Sequence, residues 1–216
     1  MGDESAMSGL DEVTQLVCVR HGLTSWNAEG RIQGQLDIPL NPQGEAQALA
    51  LADALQDEAV DQVFCSDLQR CRQTLAPLLA RRGLPVQWHA GLRERSFGDF
   101  QGQTWAELTE REPEAVQRWR ARDPVFAAPG GESLSAFSER VLSVVRLMAA
   151  QHAGQRLLLV THGGVLDCLY RAALGLDLQA PRSWRLGNAA INRLMVTSGQ
   201  LHLVGWADDG HLSALQ

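Results

Sequence analysis

The stretch LLLVTHGG at residues 157–164 decides the fold. Leu157, Leu158, Leu159 and Val160 leave no polar side, so the segment reads as a strand buried on both faces, the habit of parallel sheets covered by helices. His162-Gly163-Gly164 ends the run, and apolar residues at helical spacing continue to Leu174. Working outward, LVCVRHG at residues 16–22 repeats the arrangement: a short apolar run that finishes in His21-Gly22. Val60, Val63 and Phe64 make a shorter strand ending at Cys65-Ser66, and residues 86–88 a weaker one.

Helical stretches separate these strands. Asn41-Pro42 supplies an N-cap and a proline suited to the first helical position, with Ala46, Leu49, Ala50 and Leu55 expected on the buried face. Leu68, Cys71, Leu75, Leu78 and Leu79 recur at helical spacing until Gly83-Leu84-Pro85. Glu132-Ser133 opens a further helix whose Phe137, Val141, Val144, Val145 and Met148 face one way. Residues 191–196 and 201–206 pattern as an antiparallel hairpin turned at Ser198-Gly199. The alternation predicts an α/β protein, a three-layer α/β/α sandwich with a mostly parallel central sheet and an antiparallel edge hairpin. In such sheets ligands bind beyond the carboxyl ends of the strands, and two of these strands end there in His-Gly.

Composition narrows the function. The chain has 216 residues, 45% hydrophobic and 20% charged, with a mean hydropathy of −0.15, as expected of one globular domain. Residues 1–14 read as a flexible extension and residues 15–216 as the domain. All 19 basic residues are arginine, which removes a P-loop lysine, a Schiff-base lysine and a lysine general base. A net charge of −6 argues against nucleic acid as the main partner. No apolar run approaches the roughly 20 residues that cross a bilayer, so no membrane association is expected. The first fourteen residues lack a signal peptide's apolar core, and the four cysteines form no CxxC pair. The expectation is a cytoplasmic protein; oligomeric state is not legible.

Six histidines are present. His89, His152, His202 and His211 are read as ordinary hydrogen-bonded residues. His21 and His162 stand apart because each sits at a strand's carboxyl end beside a glycine that lets an anion approach closely. Neither has an HExxH, HxH or nearby Cys/His partner, so nucleophile and anion binder are preferred to metal ligand. No metal and no cofactor is expected.

Residues 19–27, VRHGLTSWN, resemble the RHG signature of the histidine phosphatase (phosphoglycerate mutase-like) superfamily. Residues 66–74, SDLQRCRQT, are similar to that family's second-arginine segment, residues 92–98, LRERSFG, to its acid loop, and residues 161–164, THGG, to its second-histidine turn. All four occur in family order across nearly the whole chain. The resemblance implies that Arg20, His21, Arg70 and His162 enclose one phosphoryl group, with His21 as nucleophile and Glu94 as proton donor. It places Asn27 and Gln33 in the pocket and Gly163 against the substrate, and it alone selects Arg70 over Arg72. Phe100-Gln101 stands where the family often has Trp-Glu.

The function this implies is hydrolysis of a phosphomonoester of a small metabolite through a phosphohistidine. The alternative is an isomerase of the cofactor-dependent phosphoglycerate mutase type, which resembles longer chains with a lysine after the acid loop. A catalytically silent module that binds phosphorylated ligands is a third class, and its sign would be a missing pocket residue; none of the four is missing. Residues 103–131 are expected to cap the pocket. Arg118, Arg120 and Arg122 in that segment read as a solvated helix face sooner than as a second anion site.

Overall fold

The computed structural model describes residues 12–215. Six strands form one sheet in the order β3-β2-β4-β1-β5-β6, where β1 is Thr14–Arg20, β2 Gln62–Cys65, β3 Val86–Trp88, β4 Arg156–Thr161, β5 Ile191–Thr197 and β6 Gln200–Asp208. The first four in that order run parallel, and the β5–β6 hairpin is antiparallel and lies at one edge. Residues 1–11 of the expected extension lie outside the described residues. Its last residue, Thr14, is already the first of β1; it is buried, and its hydroxyl donates to the Ala149 carbonyl at 3.1 Å. β1 therefore begins one residue before the expected boundary.

Alternation along β1 and β4 builds two cores. Leu16, Cys18, Leu157 and Leu159 pack beneath α6 (Leu134–Gln151) and α7 (Gly163–Leu174). Val17, Val19, Leu158 and Val160 turn the other way, against α2 (Pro42–Ala54) and α3 (Gln69–Arg82). Helices on both faces make this the α/β/α sandwich. The Asn41 side chain accepts from the Gly44 N–H at 2.8 Å and Pro42 opens the helix, as its residues dictate.

The buried face of α2 differs from the expected one. Ala48, Leu51, Ala52 and the following Leu55 are buried, whereas Leu49 is 53% exposed and Ala46 and Ala50 are half-buried. Residues 48–55 are apolar on nearly every side, so helical period alone does not select a phase.

Two short helices, α4 (Trp105–Arg111) and α5 (Pro113–Arg120), follow β3 and pack on each other. They carry a small core of their own: Ile32, Phe100, Leu108, Val116, Phe126 and Ala128. A further short helix, α1 (Ser25–Ala28), follows β1 and is closed by a capping box between Thr24 and Asn27. Among the described residues, no helix is long and apolar enough to cross a membrane.

Candidate active site

The parallel pairing of β1 and β4 matches Arg20 with Thr161, and the ladder runs one step further through His21 N–H to Thr161 O at 2.9 Å. The register thus sets His21 beside His162, their ring centroids 5.2 Å apart. Glycines make room behind them. A Cβ on Gly22 would lie 2.7 Å from the Gly44 carbonyl oxygen, and one on Gly44 would lie 2.0 Å from that of Leu23.

Both imidazoles have one tautomer. The His21 Nδ1 lies 2.8 Å from the Gly22 carbonyl, and a carbonyl can only accept, so Nδ1 carries the proton. Its Nε2 keeps a lone pair that no group among the described residues engages. Arg70 Nε donates to His162 Nδ1 at 3.2 Å, so the His162 proton is on Nε2, 2.8 Å from Ser66 Oγ. Burial pushes both histidines well below the ordinary imidazole value, and the Arg70 and Arg20 charges push His21 further. Both are neutral at pH 7.

Arg20 ends β1. One terminal nitrogen donates to the Leu186 carbonyl, while its Nε is buried with no partner. Burial lowers its pKa to about 10, so the guanidinium stays charged. Arg70, in the first turn of α3, is fully buried and donates to the carbonyls of Leu36 at 2.8 Å and Gly34 at 2.7 Å. Three of its five N–H groups are thus committed and two remain. Arg72 is exposed, bonds the Asp67 carbonyl and lies over Trp88.

Glu94 sits on a loop held from behind. Arg140 of α6 pairs with Glu132 through two 2.8 Å bonds and donates to the Gly91 carbonyl at 2.9 Å. The Glu94 oxygens accept from the backbone N–H groups of Arg95 at 2.8 Å and Gly164 at 2.9 Å, which aims the carboxyl across the start of α7.

These groups surround a cavity of about 670 Å³. Arg20, His21, Asn27, Gln33, Arg70, Glu94 and Gly163 line it. Asn27 accepts from Asn188 at 3.3 Å and Gln33 Oε1 is buried without a partner. His162 lies behind the wall, not in it, because Arg70 and Ser66 engage its two nitrogens. Asp99 is exposed and off the cavity. The wall holds seven arginines (Arg20, Arg31, Arg70, Arg95, Arg122, Arg182 and Arg185) against two carboxylates, Glu94 and Asp167, a field suited to an anion. Among the described residues, no group of three or more His, Cys, Asp or Glu side chains is placed to hold a metal ion.

Sequence reasoning missed several wall residues. Arg118 and Arg120 are exposed as expected, but Arg122 lines the cavity and pairs with Asp167 at 2.8 Å. Helix α5 stops at Arg120, and Arg122 has φ 52°, so it leaves the helical face on which it was placed. Trp105 and Trp119 stack 5.3 Å apart in the cavity wall, with Arg95 over Trp119 at 4.5 Å. Asp167, in an otherwise apolar turn of α7, carried a signal: an acid on the buried face needs a partner. Arg182 and Trp184 lie outside every helix and strand and left no pattern.

A family model described as histidine phosphatase superfamily (branch 1) matches residues 16–209. The chain is 37% identical over 207 residues to an Arabidopsis thaliana protein named metal-independent phosphoserine phosphatase, covering 94% of this chain and 85% of that one. It is 36% identical over 210 residues to a probable phosphoglycerate mutase of Salmonella choleraesuis (strain SC-B67), covering 93% and 95% of the two chains. Among solved structures, a mycobacterial glucosyl-3-phosphoglycerate phosphatase superposes with a TM-score of 0.81 at 32% identity, covering 91% of this chain and 100% of that one.

Proposed function

The chain belongs to the histidine phosphatase superfamily, branch 1, and is a phosphatase of that kind; we propose that it hydrolyses small phosphorylated metabolites with His21 as the nucleophile. One observation carries the assignment of roles: the free Nε2 lone pair of neutral His21 and the unpartnered buried Nε of Arg20 belong to the wall of the same cavity. A buried donor without a partner costs about 1–3 kcal/mol, and an anion beside His21 would satisfy it.

In the first step His21 Nε2 attacks phosphorus and an N–P bond forms. The ester P–O bond breaks, its electron pair stays on the leaving oxygen, and a proton from Glu94 neutralises that oxygen. Arg20 and the two uncommitted N–H groups of Arg70 hold the phosphoryl oxygens as charge spreads over them. In the second step water attacks phosphorus and gives its proton to the Glu94 carboxylate. The N–P electron pair then returns to His21, and inorganic phosphate leaves. His162 supports both steps from behind, fixing Arg70 through Nδ1. Asn27, Gln33 and Gly163 line the cavity where the phosphoryl group and its substituent would lie.

Rapid quench with phosphorus-labelled substrate tests the assignment. An acid-labile, base-stable label should appear on His21 and vanish in His21→Ala. Label on another residue, or near-normal turnover of His21→Ala, would overturn it. Assaying phosphate release beside positional isomerisation of a phosphoglycerate separates hydrolase from mutase.

A further inference from the structure

The cavity wall contains a buried polar atom with no partner among the described residues. Asp167 is 6% exposed and lines the wall five residues beyond His162. Its Oδ2 accepts from Arg122 at 2.8 Å and from Arg171 Nε at 3.0 Å, while its Oδ1 is buried with no partner. Trp184 lines the same wall, and its indole Nε1 is likewise buried and unpartnered. Its ring is held between neighbours, stacked on Tyr170 at 4.2 Å with the Arg171 guanidinium 4.7 Å from its centroid. Among the described residues, Asp167 and Trp184 thus carry an unpaired acceptor and an unpaired donor, with a second unpaired donor, Nη2, on Asp167's ion-pair partner Arg171, a combination that a hydroxyl-bearing ligand satisfies.

We propose that Asp167 and Trp184 select the alcohol part of the substrate: Asp167 Oδ1 accepts from a hydroxyl of the leaving group, and Trp184 Nε1 donates to an oxygen of that same group. The favoured substrate is then a phosphomonoester of a polyhydroxylated alcohol. An ammonium would also satisfy a carboxylate, but Arg122 and Arg171 bond this one, and Arg182 lines the same cavity. A neutral hydroxyl suffers no repulsion from these three cations. Arg122 also donates to the Leu178 carbonyl at 2.5 Å, so the segment after α5 is tied to Asp167 and to the loop after α7 at once, which keeps the acceptor in place.

The inference rests on the phosphatase reading above, and its test distinguishes the two. kcat/KM is measured for matched pairs: glycerol 3-phosphate against propyl phosphate, and 2-hydroxyethyl phosphate against phosphoethanolamine. The wild type should favour the hydroxylated member of the first pair by at least about tenfold, since its absence leaves buried groups unpaired. It should also favour the hydroxyl over the ammonium in the second. Asp167→Asn and Trp184→Phe should each drive the first ratio towards one. Trp184→Phe keeps an aromatic ring on Tyr170, so it decides the matter if Asp167→Asn does not fold. A wild-type ratio near one, a ratio unchanged in the folded variants, or a preference for phosphoethanolamine would overturn the proposal. In each of those cases His21 would still be labelled; failure of the phosphatase reading would instead remove the label with every substrate.

Discussion

Replacing Gly164 by alanine tests the role of Glu94 without touching Glu94. An added Cβ would lie 2.1 Å from Glu94 Oε1 and 3.1 Å from Phe137 Cε1. Phe137 has to give by a few tenths of an ångström, whereas the carboxylate has to retreat by about 1 Å, a displacement that can cost on the order of 10²-fold when a reacting group is misplaced. Stability should fall modestly. Alanine is favoured over glycine in a helix by up to about 1 kcal/mol, which offsets part of a weakened bond between the Gly164 N–H and the carboxylate, worth about 1.5–3 kcal/mol.

The assay is the burst of His21 phosphorylation, because steady turnover also contains the hydrolysis step. An alkyl phosphate expels a poor leaving group that needs a proton, and an aryl phosphate expels a stable phenolate that does not. Gly164→Ala should therefore slow the burst on alkyl phosphates by about 10²-fold while the aryl burst falls by much less. Glu94→Gln should do the same within the general-acid range of about 10²–10⁴. A folded Gly164→Ala protein whose alkyl-to-aryl burst ratio equals the wild type's would refute the reasoning, leaving Glu94 to position phosphate only.

Two other outcomes follow from the histidine environments. His21 and His162 are held well below the ordinary imidazole value, so below about pH 6.5 the unfolded chain takes up protons that the folded chain refuses, and stability falls as pH falls. Each histidine contributes at most about 1.4 kcal/mol per pH unit, so urea unfolding should show stability falling with a slope of up to that size per histidine below about pH 6.5. His162→Asn should roughly halve it, and a flat profile would contradict buried neutral imidazoles. Ser66→Ala removes the oxygen acceptor for the buried His162 Nε2 proton and leaves it only the weak acceptor Cys71 Sγ at 3.5 Å, which should cost about 1–3 kcal/mol in the same measurement, a loss that Ser66→Thr recovers if the hydroxyl is what matters.

The fold was legible wherever a segment had a single physical solution. A strand such as residues 157–160, without a polar side, has to be covered on both faces, and β1 shows how: its odd and even residues feed two different cores. Asn41-Pro42 and Ser133 marked helix starts because unpaired N–H groups need a side-chain acceptor and proline needs none. The phase of α2 failed for the converse reason: a segment apolar all round gives period nothing to act on.

The site divides along a different line. Arg20, His21, Glu94 and Gly163 belong to short contiguous motifs, so order along the chain kept them together. Periodicity left Arg70 ambiguous with Arg72 and only the resemblance chose between them, because a guanidinium bonded to two carbonyls and an imidazole can sit where periodicity predicts only aliphatic residues. Ser66 meets His162 across 96 residues, a distance that local pattern does not span. Asp167 lies between these cases. Its partner Arg171 follows four residues later on the same face of α7, and an i, i+4 ion pair inside an apolar helix is visible in the letters alone. Two charges placed on a face that faces the core have to be satisfied by something. Arg122 and Arg171 satisfy one oxygen of Asp167, and the other, buried without a partner among the described residues, is the acceptor that would favour a hydroxylated substrate.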